Sequence, residues 1–202
     1  MNENLVFVTG YLRPFRFYQA LLFLIATLCL LVLRFWLIDH FLDLPVDAAE
    51  IRQRYQSIKW WQLVLLIPIL EELFFRYLLQ GLILHTIFPN RAWIPILLSA
   101  ALFGLAHFYL PMILAAFVMG LFISWVFWKT KSIFAALFIH ITNNFLIIIP
   151  SRFYTGIEDT ILSQLTTLPA LISSLGILII VIYALNKSFK MKISHPPKVD
   201  GI

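Results

Sequence analysis

Apolar residues fall into six long runs, at about 18–38, 61–84, 93–110, 112–128, 133–149 and 161–185, with short polar tracts between them. A helix needs roughly 20 mostly apolar residues to cross the hydrocarbon layer, so runs of this length predict membrane helices. The first run follows Arg13 and Arg16, is long for a signal-peptide core and lacks a small-residue cleavage site. It reads as a retained helix that also targets the chain. The tract 39–59 turns polar with Asp43, Asp47, Glu50, Arg52 and Arg54, which predicts the longest extramembrane loop, holding an amphipathic or interfacial helix. Trp60 and Trp61 then mark an interface, where amphipathic rings favour the headgroup level. The expected fold class is all-α, a polytopic membrane helix bundle of about six transmembrane helices. Its parts are an N-terminal membrane helix and polar loop (1–60), a set of core helices (61–150), and a C-terminal membrane helix with a basic tail (151–202).

Composition sharpens this picture. The chain is 61% apolar and 12% charged, with a mean hydropathy of +0.91; an ordinary soluble domain carries about 25% charged residues. The bilayer is therefore a partner of the fold. A net charge of +5 could point to nucleic acid, but the cations sit in short tracts between apolar runs and act as topology signals, so no nucleic-acid partner is expected. With both termini cytoplasmic, that side carries Arg13, Arg16, Arg91, Lys129, Lys131, Lys187, Lys190, Lys192 and Lys198, nine in all, against five (Arg34, Arg52, Arg54, Lys59 and Arg152) opposite. The positive-inside rule selects that orientation. Cys29 is the single cysteine, so no intramolecular disulfide or cysteine metal cluster forms. No internal repeat is visible, which weakens an inverted-repeat transporter.

Two of the ten acidic residues, Glu71 and Glu72, interrupt a membrane run, LLIPILEELFFRYLL, together with Arg76. A charge at the bilayer centre costs about 2.5–3.5 kcal/mol on insertion scales, so such residues mark a functional site by default. Glu72 and Arg76 stand at i and i+4, share a helix face and can form a desolvated ion pair. Glu71 is turned about 100° away and has Phe75 at i+4, which leaves its carboxylate for general base and acid work. In the fifth run, His140 and Asn144 stand at i and i+4 in FIHITNNF and could bind one oxygen or one metal between them. Asn143 points elsewhere and suits an interhelical hydrogen bond. His107, in FGLAHF near the end of the third run, follows Phe103 by one turn, and the phenyl ring would restrict the imidazole. A glutamate can deprotonate water, a histidine can hold the water or a metal, and a His–Asn pair can donate to an oxyanion.

These three motifs, EELFFR as E-E-x-x-x-R, FGLAH as F-x-x-x-H and HITNN as H-x-x-x-N, occur in an order and spacing that resemble the CPBP family, also called the Abi or type II CAAX prenyl endopeptidase-like family. The family contains intramembrane proteases and bacteriocin-immunity proteins. The resemblance implies that Glu71 with His107 activates the attacking water while His140 and Asn144 stabilise the oxyanion. It leaves the cofactor open between zinc, with Glu71, His107 and His140 as candidate ligands, and none. The chain has no H-E-x-x-H and no G-x-S-x-G, so zincin and serine-type readings lose support. The expected function is that of an intramembrane endopeptidase acting on membrane-associated proteins or peptides, within a bacterial plasma membrane. The alternative is a non-catalytic bacteriocin-immunity or membrane scaffold protein.

Overall fold

A computed structural model describes residues 11–41, 57–107, 110–153 and 164–190. The interfacial helix expected within 39–59 and the basic tail lie largely outside them. Six helices follow one another: α1 (Phe17–Phe41), α2 (a continuous helix built of Gln62–Leu66, Ile67–Glu72, Leu73–Leu84 and His85–Ile87), α3 (Trp93–Leu105), α4 (Leu110–Thr130), α5 (Ile133–Phe153) and α6 (Leu168–Lys190). There is no β-sheet among the described residues, only one isolated bridge between Leu12 and Ser132. Among the described residues the observed fold is an all-α bundle of six helices.

Four helices, α1, α4, α5 and α6, are long and apolar enough to cross a bilayer. Helix α2 is long but carries Glu71, Glu72 and Arg76. Helix α3 has only 13 residues, about 20 Å at 1.5 Å per residue, and falls short of a hydrocarbon layer about 30 Å thick. It ends at Leu105, not near Leu110 as its apolar run predicts, and His107 sits in the following turn, its N–H donating to the Gly104 carbonyl. Helix α5 continues through Pro150 to Phe153 instead of stopping. Its end is tied down by Arg152, whose Nη1 donates to the Ile58 carbonyl at 2.8 Å.

The helix starts are legible as local chemistry. Gln19 accepts from the Arg16 N–H at 2.9 Å and Gln62 from the Lys59 N–H at 3.0 Å, each a residue three positions into a helix reaching back to the start, as in a capping box. Ser132 caps α5 by accepting from the Ala135 N–H at 3.2 Å, one of the orphan donors of a helix N-terminus. The turn between α4 and α5 is tight enough to hold Lys131 at φ 52°, a conformation uncommon outside glycine.

Helices α1, α4, α5 and α6 share a core around Phe23, Ile123, Phe127, Ile139 and Leu185, all fully buried. The outer face of α6 is the reverse of a soluble surface, with Ile179, Ile180 and Tyr183 each about two-thirds or more exposed; a lipid environment is the natural cover for such a face. Helices α3 and α4 pack closely at Gly104, where an added Cβ would lie 2.9 Å from the Ile113 carbonyl oxygen and 3.1 Å from Phe117 Cβ.

Two alanine substitutions should therefore diverge. Gly104→Ala is expected to cost about 1–3 kcal/mol by overpacking against backbone, whereas Gly176→Ala, with open space around it, should be neutral or gain up to about 1 kcal/mol of helix propensity. Thermal unfolding of both variants in the same detergent checks this, and equal melting would contradict the close α3–α4 contact.

Candidate active site

Helix α2 is locally unusual, and proline explains where the irregularity begins. Pro68 has no N–H, so the carbonyls one turn earlier lose their donor. Over Gln62–Leu66 the helix opens into wide π-type turns, with the Ile67 N–H donating five residues back to Gln62. A second wide stretch follows at Leu73–Leu84, and turns of this kind occur often at functional sites. Glu71 and Glu72 sit on the short α-helical segment between the two.

Glu72 is fully buried and held on both sides. Its Oε2 lies 3.2 Å from Arg76 Nε, and its Oε1 lies 2.7 Å from His140 Nδ1 on α5. The Arg76 contact is a charge contact more than an aligned hydrogen bond, since neither atom meets hydrogen-bond geometry. Arg76, also fully buried, has its guanidinium carbon 4.3 Å from the Phe103 ring centroid and donates to the Gly120 carbonyl at 3.4 Å. Gly120 is required there, because a Cβ would come within 3.0 Å of the Phe103 ring and 3.4 Å of Arg76 Nη2.

Glu71 is the accessible member. Its side chain is 24% exposed, and its Oε2 lies 3.5 Å from His140 Nε2. The carboxylate expected to be free of a cation on its own helix thus meets a histidine from another. His140 stands between the two glutamates, one ring nitrogen toward each. At 2.7 Å from a carboxylate oxygen Nδ1 is the donor, while Nε2 faces Glu71 across a longer gap of 3.5 Å.

Asn144 is also on this face of α5, with its amide already engaged. Its Nδ2 donates to the Leu63 carbonyl at 3.0 Å, one of those stripped of a donor by Pro68 and the wide turn. Its Oδ1 accepts from Asn143 Nδ2 at 3.0 Å, so Asn143 orients its neighbour on the same helix instead of reaching to another. His107 Nδ1 lies 3.0 Å from the Phe103 carbonyl. Because a carbonyl only accepts, Nδ1 carries the hydrogen and Nε2 presents a lone pair. The Phe103 ring stands edge-on to both histidines, with centroids 5.0 Å from His107 at an interplanar angle of 70° and 5.5 Å from His140 at 89°.

The structure thus brings Glu71, Glu72, Arg76 and His140 into direct contact, places Asn144 one turn along, and links His107 through Phe103. Among the described residues no three of His, Cys, Asp and Glu are grouped so as to hold a metal ion. The trio Glu71, His107 and His140 does not fit one as arranged. Sequence reasoning missed Gln80, also fully buried, whose Nε2 donates to the Ser124 carbonyl at 2.9 Å. Its signal was present as a polar stripe at i, i+4 and i+8, Glu72-Arg76-Gln80.

With this geometry in place, comparison with known proteins adds one match. Residues 53–146 match a family model described as type II CAAX prenyl endopeptidase Rce1-like. No curated protein and no solved structure matches the chain.

Two variants separate the structural duties. Arg76→Ala leaves Glu72 beside His140 without its guanidinium and is expected to cost about 3–5 kcal/mol, the usual penalty of stranding a buried charge; normal folded yield and melting would contradict the pair. Asn144→Ala removes the donor to Leu63 and should cost about 1–3 kcal/mol, with Asn144→Asp no milder because a carboxylate cannot donate. A detergent melt of Asn144→Asp indistinguishable from wild type would contradict the carbonyl contact.

Proposed function

Through residues 53–146 the chain belongs to the CPBP, type II CAAX prenyl endopeptidase-like family, and on that premise we propose that it is an intramembrane endopeptidase working by glutamate-activated water. The observation that carries the mechanism is the pairing of a reachable Glu71 with a His140 whose other nitrogen is fixed by buried Glu72. A general base must be reachable by the proton it takes and kept in one orientation. Glu71 meets the first condition and the Glu72–His140 contact supplies the second.

In this reading Glu71 takes a proton from water as the water oxygen bonds to the carbonyl carbon of the scissile peptide. The His107 Nε2 lone pair helps orient that water. The tetrahedral oxyanion is met by a hydrogen on His140 Nε2, which turns from Glu71 as that carboxylate takes up the water proton, and by the second amide hydrogen of Asn144, the first being held by Leu63. Donors held beside the developing charge stabilise it. Glu71 then returns its proton to the leaving nitrogen as the C–N bond breaks, releasing a carboxylate and an amine. Each step uses groups of this chain and none is routed through a metal.

The chemistry belongs to the core helices at 61–150, and the substrates are membrane-associated proteins or peptides of a bacterial plasma membrane, with both termini of the enzyme cytoplasmic. Glu71→Gln keeps size and packing while removing the base. Quantitative mass spectrometry of new peptide termini in membranes of cells expressing either form should show a set present only with wild type, falling at least about 100-fold in the variant. Equal accumulation of both proteins with identical termini would overturn the enzymatic reading in favour of an immunity or scaffold role.

A further inference from the structure

Away from the glutamates, a second polar site lies where α1 begins and α4 and α6 end. A small open groove is lined there by Phe15, Arg16, Gln19, Lys129, Ser188 and Phe189, together with Thr130. Its floor is satisfied internally. Gln19 Nε2 donates to Ser188 Oγ at 3.2 Å, Ser188 Oγ donates to the Leu185 carbonyl at 2.8 Å, and Thr130 Oγ1 donates to the Val126 carbonyl at 2.8 Å. Gln19 and Ser188 are buried, whereas Arg16 and Lys129 are exposed at the rim. The groove therefore offers a ligand two cations over a saturated polar floor.

The surroundings are charge-unbalanced in the same sense. Arg13, Lys131 and Lys187 lie at this end of the bundle, as does Arg91 in the connection between α2 and α3. The acidic residues among those described are Asp39, in the last turn of α1, and Glu71 and Glu72 within α2, so no carboxylate among the described residues answers these cations. Lys131 is pushed below its ordinary pKa, by burial first and then by repulsion from Arg13. The α4–α5 turn holds Lys131 in this position at the cost of a positive φ, with its ammonium 5.5 Å from the Trp128 ring and 6.0 Å from the Tyr11 ring.

The rest of the groove points to the kind of anion. Phe15 and Phe189 form apolar walls, Phe189 packing edge-on against Trp125 at 5.7 Å. Phe17, 82% exposed, and Tyr18 continue an apolar surface from the groove down α1. A ligand with a phosphate at one end and hydrocarbon at the other meets both features, and the groove sits at the ends of three spans, the level of lipid headgroups. Basic pockets between membrane helices are known to take such groups.

We propose that this groove binds the phosphodiester headgroup of an anionic phospholipid between Arg16 and Lys129, with the lipid chains lying along α1 and α6. The bound lipid joins the first and last helices to α4, none of which supplies a glutamate, histidine or asparagine of the candidate active site. The inference is independent of the proposed peptidase activity.

The test is a phosphatidylglycerol titration of the purified full chain in detergent, read as the concentration giving half-maximal thermal stabilisation, with lipid retention counted by native mass spectrometry. Each cation near an anionic surface is worth about fivefold in affinity, so Arg16→Gln with Lys129→Gln should raise that concentration about 30-fold. Both side chains are exposed, so the variant should fold. The charge-preserving exchange Arg16→Lys with Lys129→Arg should restore binding, and Arg91→Gln, at the same end but outside the groove, should leave it near wild type. A double variant that titrates like wild type overturns the site, as does an equal loss in Arg91→Gln. Stabilisation by inorganic phosphate in phosphatidylcholine vesicles to the extent given by phosphatidylglycerol would overturn the lipid assignment.

Discussion

A carboxylate buried without water has to be matched within bonding distance, and Glu72 sets that requirement for the whole bundle. Its two oxygens are answered by Arg76 on its own helix and His140 on α5. The match for Arg76 then recruits α3 through the Phe103 ring and α4 through the Gly120 carbonyl. Four of the six helices are thus positioned around one ion cluster. Apolar packing alone would leave their rotations loosely specified in lipid, where association gains little from a hydrophobic driving force. A stranded charge has no such latitude, because every misplacement leaves it unpaired.

The same cluster divides the paired glutamates into two jobs. Glu72 is sealed and orients the imidazole, while Glu71, one residue earlier, keeps part of its surface exposed and faces the second ring nitrogen. Adjacent positions on a helix point about 100° apart, so one imidazole spans them only because α5 places it in the angle between their side chains. The arrangement resembles the general logic of a base held by an orienting group, with the histidine shared between the buried carboxylate and the one proposed to do chemistry. In the proposed mechanism this explains why both glutamates are needed and why they are not interchangeable.

Much of this was legible in the chain. Run lengths gave the six helices, and charges inside a run singled out Glu71, Glu72 and Arg76. Helical spacing paired Glu72 with Arg76 and put His140 and Asn144 on one face, and Phe103 did prove to lie against His107. What spacing along one helix could not reach was contact between helices. Nothing in the sequence says that His140 sits between both glutamates, that Asn144 uses its amide on Leu63, or that Phe103 also faces Arg76 and His140. The ends of α3 and α5 were misjudged for a related reason: hydropathy does not distinguish an apolar turn from an apolar helix, and Pro150 is tolerated because tertiary contacts beyond it hold the chain. Gln80 was overlooked because an uncharged amide in an apolar run draws less notice than a carboxylate, although its i+4 register with Arg76 was readable.

Pro68 links local sequence to the site most directly. A proline inside a helix forfeits a donor, and in lipid no water replaces it. The wide turn before Pro68 leaves the Leu63 carbonyl facing α5, where Asn144 meets it and Asn143 holds Asn144 in turn. The defect on one helix therefore fixes the rotation and height of the other, and with them the position of His140 one turn away. An asparagine expected from motif spacing to serve chemistry alone is already committed through one hydrogen to architecture. Any oxyanion role must use its second hydrogen, whose direction is set by the first. The proline, the asparagine pair and the histidine form one mechanical unit, in which the group that corrects the helix defect also aims the donor.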